Sequence, residues 1–175
     1  MRLNAQTDFS LRILMYLASK PGGTATIQEI STRLQLSQTH LMRVAAKLVS
    51  VGFVKSQRGR IGGIGLALPA SEITVEAVIR AMEPDFRLVE CFGPQEKGCT
   101  IERGCALKGA LSNALAAFFA ALHDVTLEQL TEPHRAALIA LFDLNGPAFV
   151  PPVRSTSPTI RKKLADRLSQ PDRRR

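Results

Sequence analysis

The sequence predicts a mainly α-helical fold with a small β wing, in which a winged helix-turn-helix is followed by one long helix. Three observations carry this. Three amphipathic segments with short connections fill the first 52 residues, and two β-prone runs joined by the glycine-rich turn "RGRIGG" come directly after them. From Cys105 an alanine-rich segment then repeats Leu107, Leu111, Leu115, Phe118 and Leu122 at helical spacing.

The first helix is expected from Asp8, a good N-cap, to Lys20. Leu11, Leu14, Met15 and Leu17 lie on one face, and "PGG" at 21–23 stops it. A second helix fits "TIQEISTRLQ", capped by Thr26, with Ile27, Ile30 and Leu34 turned inward. The third fits "LSQTHLMRVAAKLVSVG". Ser37 stands at its N-cap, Leu41, Val44, Ala45, Leu48 and Val49 form its apolar stripe, and Gly52 ends it. Residues 53–57 and 64–68 read as the two strands of a wing. "TVEAVIRAME" gives a further helix that ends before Pro84, and the segment after it is loop-like. The long helix from Cys105 has so broad an apolar face that a dimer seam is expected on it. "TLEQL" and "PHRAALIALF" fit short helices, and the chain from Asn145 on is proline-rich and basic, a composition that suits disorder.

Charge divides the chain in the same places. Residues 1–70 carry nine Lys/Arg against two Asp/Glu, residues 71–153 six against eleven, and residues 154–175 eight against two. A basic front, an acidic middle and a basic tail suggest a polyanion-binding face on an acidic body. No run of eighteen apolar residues appears and the start lacks a secretory pattern, so a cytoplasmic protein without a membrane span is expected. Phosphate-binding glycine loops and Ser–His–Asp arrangements are missing, and the three histidines are scattered, so an enzyme is not expected.

In a helix-turn-helix the second helix enters the major groove of double-stranded DNA with its first residues at the base edges. Ser37, Gln38, Thr39, His40 and Arg43 occupy that position here, with Lys47 further along. Gln can pair with adenine and Arg with guanine, while Thr and His can reach bases or phosphates. Arg58 and Arg60, at the wing tip, suit phosphates or a narrow minor groove.

All three cysteines fall in "ECFGPQEKGCTIERGCA", at Cys91, Cys99 and Cys105. Paired C-x2-C knuckles are missing, which disfavours structural zinc. Two readings stay open on spacing alone: a thiol–disulfide switch, or an iron–sulfur cluster held by three thiolates, the last at a helix N-terminus that favours negative charge.

The opening "MRLNAQTDFSLRILMYLA", the wing "RGRIGGIGLALPASEITVEAVIRAMEP" and the three-cysteine loop followed by "ALKGALSNALAAFF" resemble the NsrR repressors. These belong to the winged-helix family that also contains IscR and RirA, and the resemblance spans residues 1–142. It implies a homodimeric repressor with one [4Fe–4S] cluster per subunit, bound to a palindromic operator and responsive to nitric oxide. Cys91, Cys99 and Cys105 match the cysteine ligands. Asp8 matches the fourth ligand, supplied by the first helix of the other subunit. Arg12, one turn further on, is placed to orient that carboxylate. The gap between Cys91 and Cys99 is instead similar to that of the iron-responsive RirA repressors, in which asparagine tends to replace aspartate at the position of Asp8. An iron-responsive repressor and a cluster-free winged-helix regulator are therefore the alternatives. The expected division is a DNA-binding domain over 1–83, a cluster loop and dimerisation helix over 84–142, and a basic tail over 143–175.

Overall fold

A computed structural model of the chain describes residues 2–57, 62–93, 99, 101 and 104–144. Helix α1 (Ala5–Ser19) buries Ile13, Leu14, Tyr16 and Leu17 at the centre of the core. It starts earlier than Asp8, because Asn4 is the N-cap and accepts a 2.8 Å hydrogen bond from the Thr7 amide. Glu83 secures that cap from the far side. Its carboxylate accepts from the Asn4 backbone amide at 2.8 Å and from Asn4 Nδ2 at 2.9 Å. Asp8 consequently sits inside the first turn, with its carboxylate paired to Arg12 one turn further on.

Helix α2 (Ile27–Leu34) begins at Thr26, whose hydroxyl accepts from the Glu29 amide at 3.1 Å. Gln35, at φ +53°, turns the chain into α3 (Gln38–Ser50). Leu41, Val44, Ala45 and Leu48 of α3 are buried, whereas Val49 falls off the stripe and is exposed. Ser37 occupies the N-cap position without a side-chain hydrogen bond. Gly52 adopts φ +87° beyond the helix, a left-handed conformation that a Cβ would strain, and lets the Phe53 amide return to the Leu48 carbonyl at 3.1 Å.

The wing has one strand more than the sequence suggests. Strands β2 (Val54–Gln57) and β3 (Gly63–Leu66) pair antiparallel as expected, and β1 (Thr24–Ala25) adds to the other edge of β3, in the order β1-β3-β2. Gly63 allows this close approach, since a Cβ there would stand 2.9 Å from the Ala25 carbonyl oxygen. A two-residue strand carries no periodicity, so sequence gave no signal for it.

Helix α4 (Val75–Met82) buries Val78, Ile79 and Met82, and packs on α1. The long helix α5 (Ala106–His123) leaves that body, and Phe119 is its one buried residue among those described. The expected stripe holds from Leu111 on, with Leu111, Leu115, Phe118 and Leu122 half-buried. Leu107 is 61% exposed, while Phe119 turns inward to meet Phe86 edge-on at 4.8 Å. By length and composition alone α5 is apolar enough to cross a membrane; alanines spread along its whole circumference account for this. After α5 the chain returns to the start of α4 through hydrogen bonds of 2.8 Å from Val75 to Val125 and from Leu127 to Ile73. Helix α6 (Leu127–Thr131) then packs against α1. Helix α7 (Arg135–Leu141) leads to Phe142, whose ring lies 5.4 Å from that of Tyr16, and to Asp143, which pairs with Arg33 of α2.

Candidate nucleic-acid interface and cysteine groove

Two sites emerge from this frame. The first is the outer face of α3. Burial of Leu41, Val44, Ala45 and Leu48 against α1 and α2 turns the opposite face to solvent by helical geometry. Ser37, Gln38, Thr39, His40, Arg43 and Lys47 are all exposed on or beside it. Met42 joins them at 56% exposure, and Lys55 and Gln57 on β2 are exposed as well. An apolar residue at i+3 from Thr39 suits a core stripe equally well, so sequence alone does not mark Met42 as a surface residue. Arg58 and Arg60 lie outside the described residues.

A polar cluster braces this face from behind. The Tyr16 hydroxyl donates to Glu29 Oε1 at 2.7 Å, and Lys20 pairs with the same carboxylate. Burial, then the hydrogen bond to Glu29, hold the Tyr16 hydroxyl protonated well beyond its ordinary range. The link fastens α1 to the first turn of α2, and through it to the turn that sets the angle of α3.

The second site is a groove at the start of α5. Cys91, Phe92 and Gly93 line one wall, and Cys105, Lys108, Gly109 and Ser112 line the other. Cys91 and Cys105 are half-buried there, while Cys99 is exposed. Cys105 is the N-cap of α5 and makes no side-chain cap hydrogen bond, so the first-turn amides lack that partner. Soft thiols beside a helix N-terminus and a lysine suit an anionic iron–sulfur group, in which the donors must be thiolates. The residues present therefore fit such a group.

Asp8 does not join the thiols within one chain. Among the described residues no three metal-capable side chains converge. Asp8 instead forms a two-point ion pair with Arg12, through Nε at 3.0 Å and Nη2 at 2.8 Å, and about half of each side chain is exposed. The pair sits on the outer surface of α1, open to a second molecule.

The profile of the Rrf2 family, described as an iron-dependent transcriptional regulator, matches residues 3–133. The chain belongs to the Rrf2 family. It is 42% identical over 145 residues to the HTH-type transcriptional regulator NsrR of Oceanobacillus iheyensis, covering 82% of this chain and 98% of that one. It is 40% identical over 133 residues to NsrR of Bacillus subtilis, covering 75% and 91%. Among solved structures it is similar to CymR, the global cysteine regulator of B. subtilis, with a TM-score of 0.59, 26% identity, and coverage of 76% and 98%. Rrf2 membership and the winged helix make this chain a DNA-binding transcriptional regulator rather than an enzyme. Regulators of the Rrf2 family are generally dimeric.

Proposed function

We propose that this Rrf2 protein is a cytoplasmic, homodimeric repressor of a palindromic operator whose [4Fe–4S] cluster, one per subunit, senses nitric oxide. The observation that carries the reading is the groove at the start of α5, where Cys91 and Cys105 stand together in a chain closely similar to regulators named NsrR. Cys91, Cys99 and Cys105 hold the cluster, with Asp8 of the partner subunit as the fourth ligand and Arg12 orienting that carboxylate. When bound, the cluster supplies an iron whose carboxylate ligand is poorer than a thiolate, and so a corner open to nitric oxide.

The remaining work falls to residues of the chain. Residues 1–83 form the reading head, with Gln38, Thr39, His40 and Arg43 at the base edges and Lys47, Arg58 and Arg60 on the backbone. Residues 84–142 provide the cysteine loop and the dimer helix α5, and the tail from 143 adds sequence-independent DNA affinity through its cations. Ties between the cysteine loop and the partner's α1 hold the two α3 helices about one turn of DNA apart, and their loss frees the heads from that spacing.

A second reading, an iron-responsive repressor, draws on the seven residues between Cys91 and Cys99 and on the iron dependence in the family's description. Anaerobic native mass spectrometry with parallel operator binding separates the two. Loss of operator affinity at low nitric oxide, with one four-iron cluster per subunit beforehand, supports the sensor. A cluster that survives nitric oxide but is lost to an iron chelator, together with DNA binding, supports the iron-responsive reading. Asp8→Ala is expected to weaken cluster retention, and unchanged retention removes Asp8 from the scheme.

A further inference from the structure

Arg80 of α4 has its guanidinium over the Phe119 ring of α5, 3.7 Å from the centroid, and 5.9 Å from the centroid of Phe86. Phe86 precedes Cys91 by five residues and Phe119 is the buried residue of α5, so the segment entering the cysteine loop and the long helix meet at this one cation. Arg80 Nε also donates to Glu76 at 2.6 Å, and the other oxygen of Glu76 faces His123 Nδ1 at 2.8 Å. One turn further along α4, Glu83 holds Asn4, the N-cap of the helix that carries Asp8. Helix α4 is therefore held to α5 and to the segment that enters the cysteine loop through Arg80, and to α1 through Glu83. Helix α1 in turn packs directly on α3.

We propose that Arg80 is a positioning residue that transmits the state of the cysteine loop to the reading helix through α4. A planar guanidinium stacked on one ring and near a second holds both in a fixed relation, which an ammonium on a flexible stem does not. The biological use of this link rests on the reading that the cysteine loop controls operator binding. The link itself exists with or without a cluster, and so does its test.

Coupling is reciprocal, so operator DNA bound at α3 must alter the cysteine loop. The experiment uses full-length, reduced, cluster-free protein. Alkylation rates of Cys91 and Cys105 by iodoacetamide are followed by mass spectrometry at low salt, with and without operator duplex selected from random sequence by the anaerobically reconstituted protein, at a duplex concentration shown by fluorescence anisotropy to saturate the weaker-binding cluster-free form. In the wild type, operator is expected to change at least one rate by about fivefold or more. Arg80→Lys and Phe119→Leu are expected to abolish that change, while Phe119→Tyr, which keeps the ring, preserves it. Thermal melting of each variant accompanies the rates. A lowered melting temperature with the wild-type rate change intact means a merely structural role and overturns the proposal. Wild-type rates that ignore DNA overturn it as well. Failure of the cluster reading shows instead as iron-free protein after anaerobic reconstitution, a result that leaves these thiol rates untouched.

Discussion

Asn4→Ala tests how the helix that carries Asp8 is set in place. The substitution removes the N-cap bond to the Thr7 amide and the bond from Nδ2 to Glu83, but leaves the backbone amide of residue 4 paired with Glu83. Loss of an asparagine cap costs about 1 kcal/mol. A hydrogen bond to a carboxylate contributes about 1.5–3 kcal/mol, and partial exposure of this pair places it near the lower end. The sum is about 2.5 kcal/mol, which for a chain of this size lowers Tm by about 5–10 °C. Urea denaturation at fixed protein concentration measures the free energy directly, because a dimer's apparent stability shifts with concentration. A double-mutant cycle with Glu83→Ala then isolates the Nδ2 bond, with an expected coupling of about 1.5 kcal/mol. A loss below about 0.5 kcal/mol, the range of ordinary surface substitutions, or a coupling near zero, refutes the view that Glu83 fixes the start of α1.

Arg43→Ala, on the exposed face of α3, is expected to weaken specific operator binding by about 1–3 kcal/mol without changing the melting temperature. Competition against random-sequence DNA checks it, and an affinity within about twofold of wild type removes Arg43 from base reading. The pair between His123 and Glu76 predicts a pH dependence. The hydrogen bond to Glu76, then the charges of Asp124 and Glu76, raise His123 above 6.5, and hydrogen bonds from Arg80, then His123, lower Glu76 below 4.5. The His123 contribution is complete below its unfolded value and is lost as pH rises through the raised folded value. The Glu76 contribution is complete above its unfolded value and is lost as pH falls through the lowered one. Stability is thus expected to decline from about pH 6.5 upwards in wild type and less so in His123→Ala, which pH-dependent urea melts measure.

The period of the hydrophobic pattern, read from sequence, placed α2, α3, α4 and α5 within a few residues of where they stand, because each helix buries one face of its own. Thr26 and Gly52 were legible for the same reason, since a cap and a stop act on neighbouring residues. The start of α1 was not. Asn4 and Asp8 are both good caps by chemistry, and the choice between them belongs to Glu83, 79 residues away. The face of α5 shows a milder limit: Leu111, Leu115, Phe118 and Leu122 are half-buried as their spacing predicts, but that Phe119 beside them is the most buried follows from Arg80 and Phe86 on that side.

The candidate site divides along the same line. Clustering of the three cysteines and the exposed polar turn of α3 are local facts, and the sequence by itself determined them. The residue type and spacing at Asp8 and Arg12 were visible too, as an ion pair one helical turn apart. Only the tertiary structure decided that Cys91 and Cys105 share one groove at the start of α5, and that Asp8 of the same chain does not line it. Local sequence sets which way a side chain leaves its own helix. Which distant side chain it meets follows from the packing of whole elements, and that packing is set by contacts from every part of the chain.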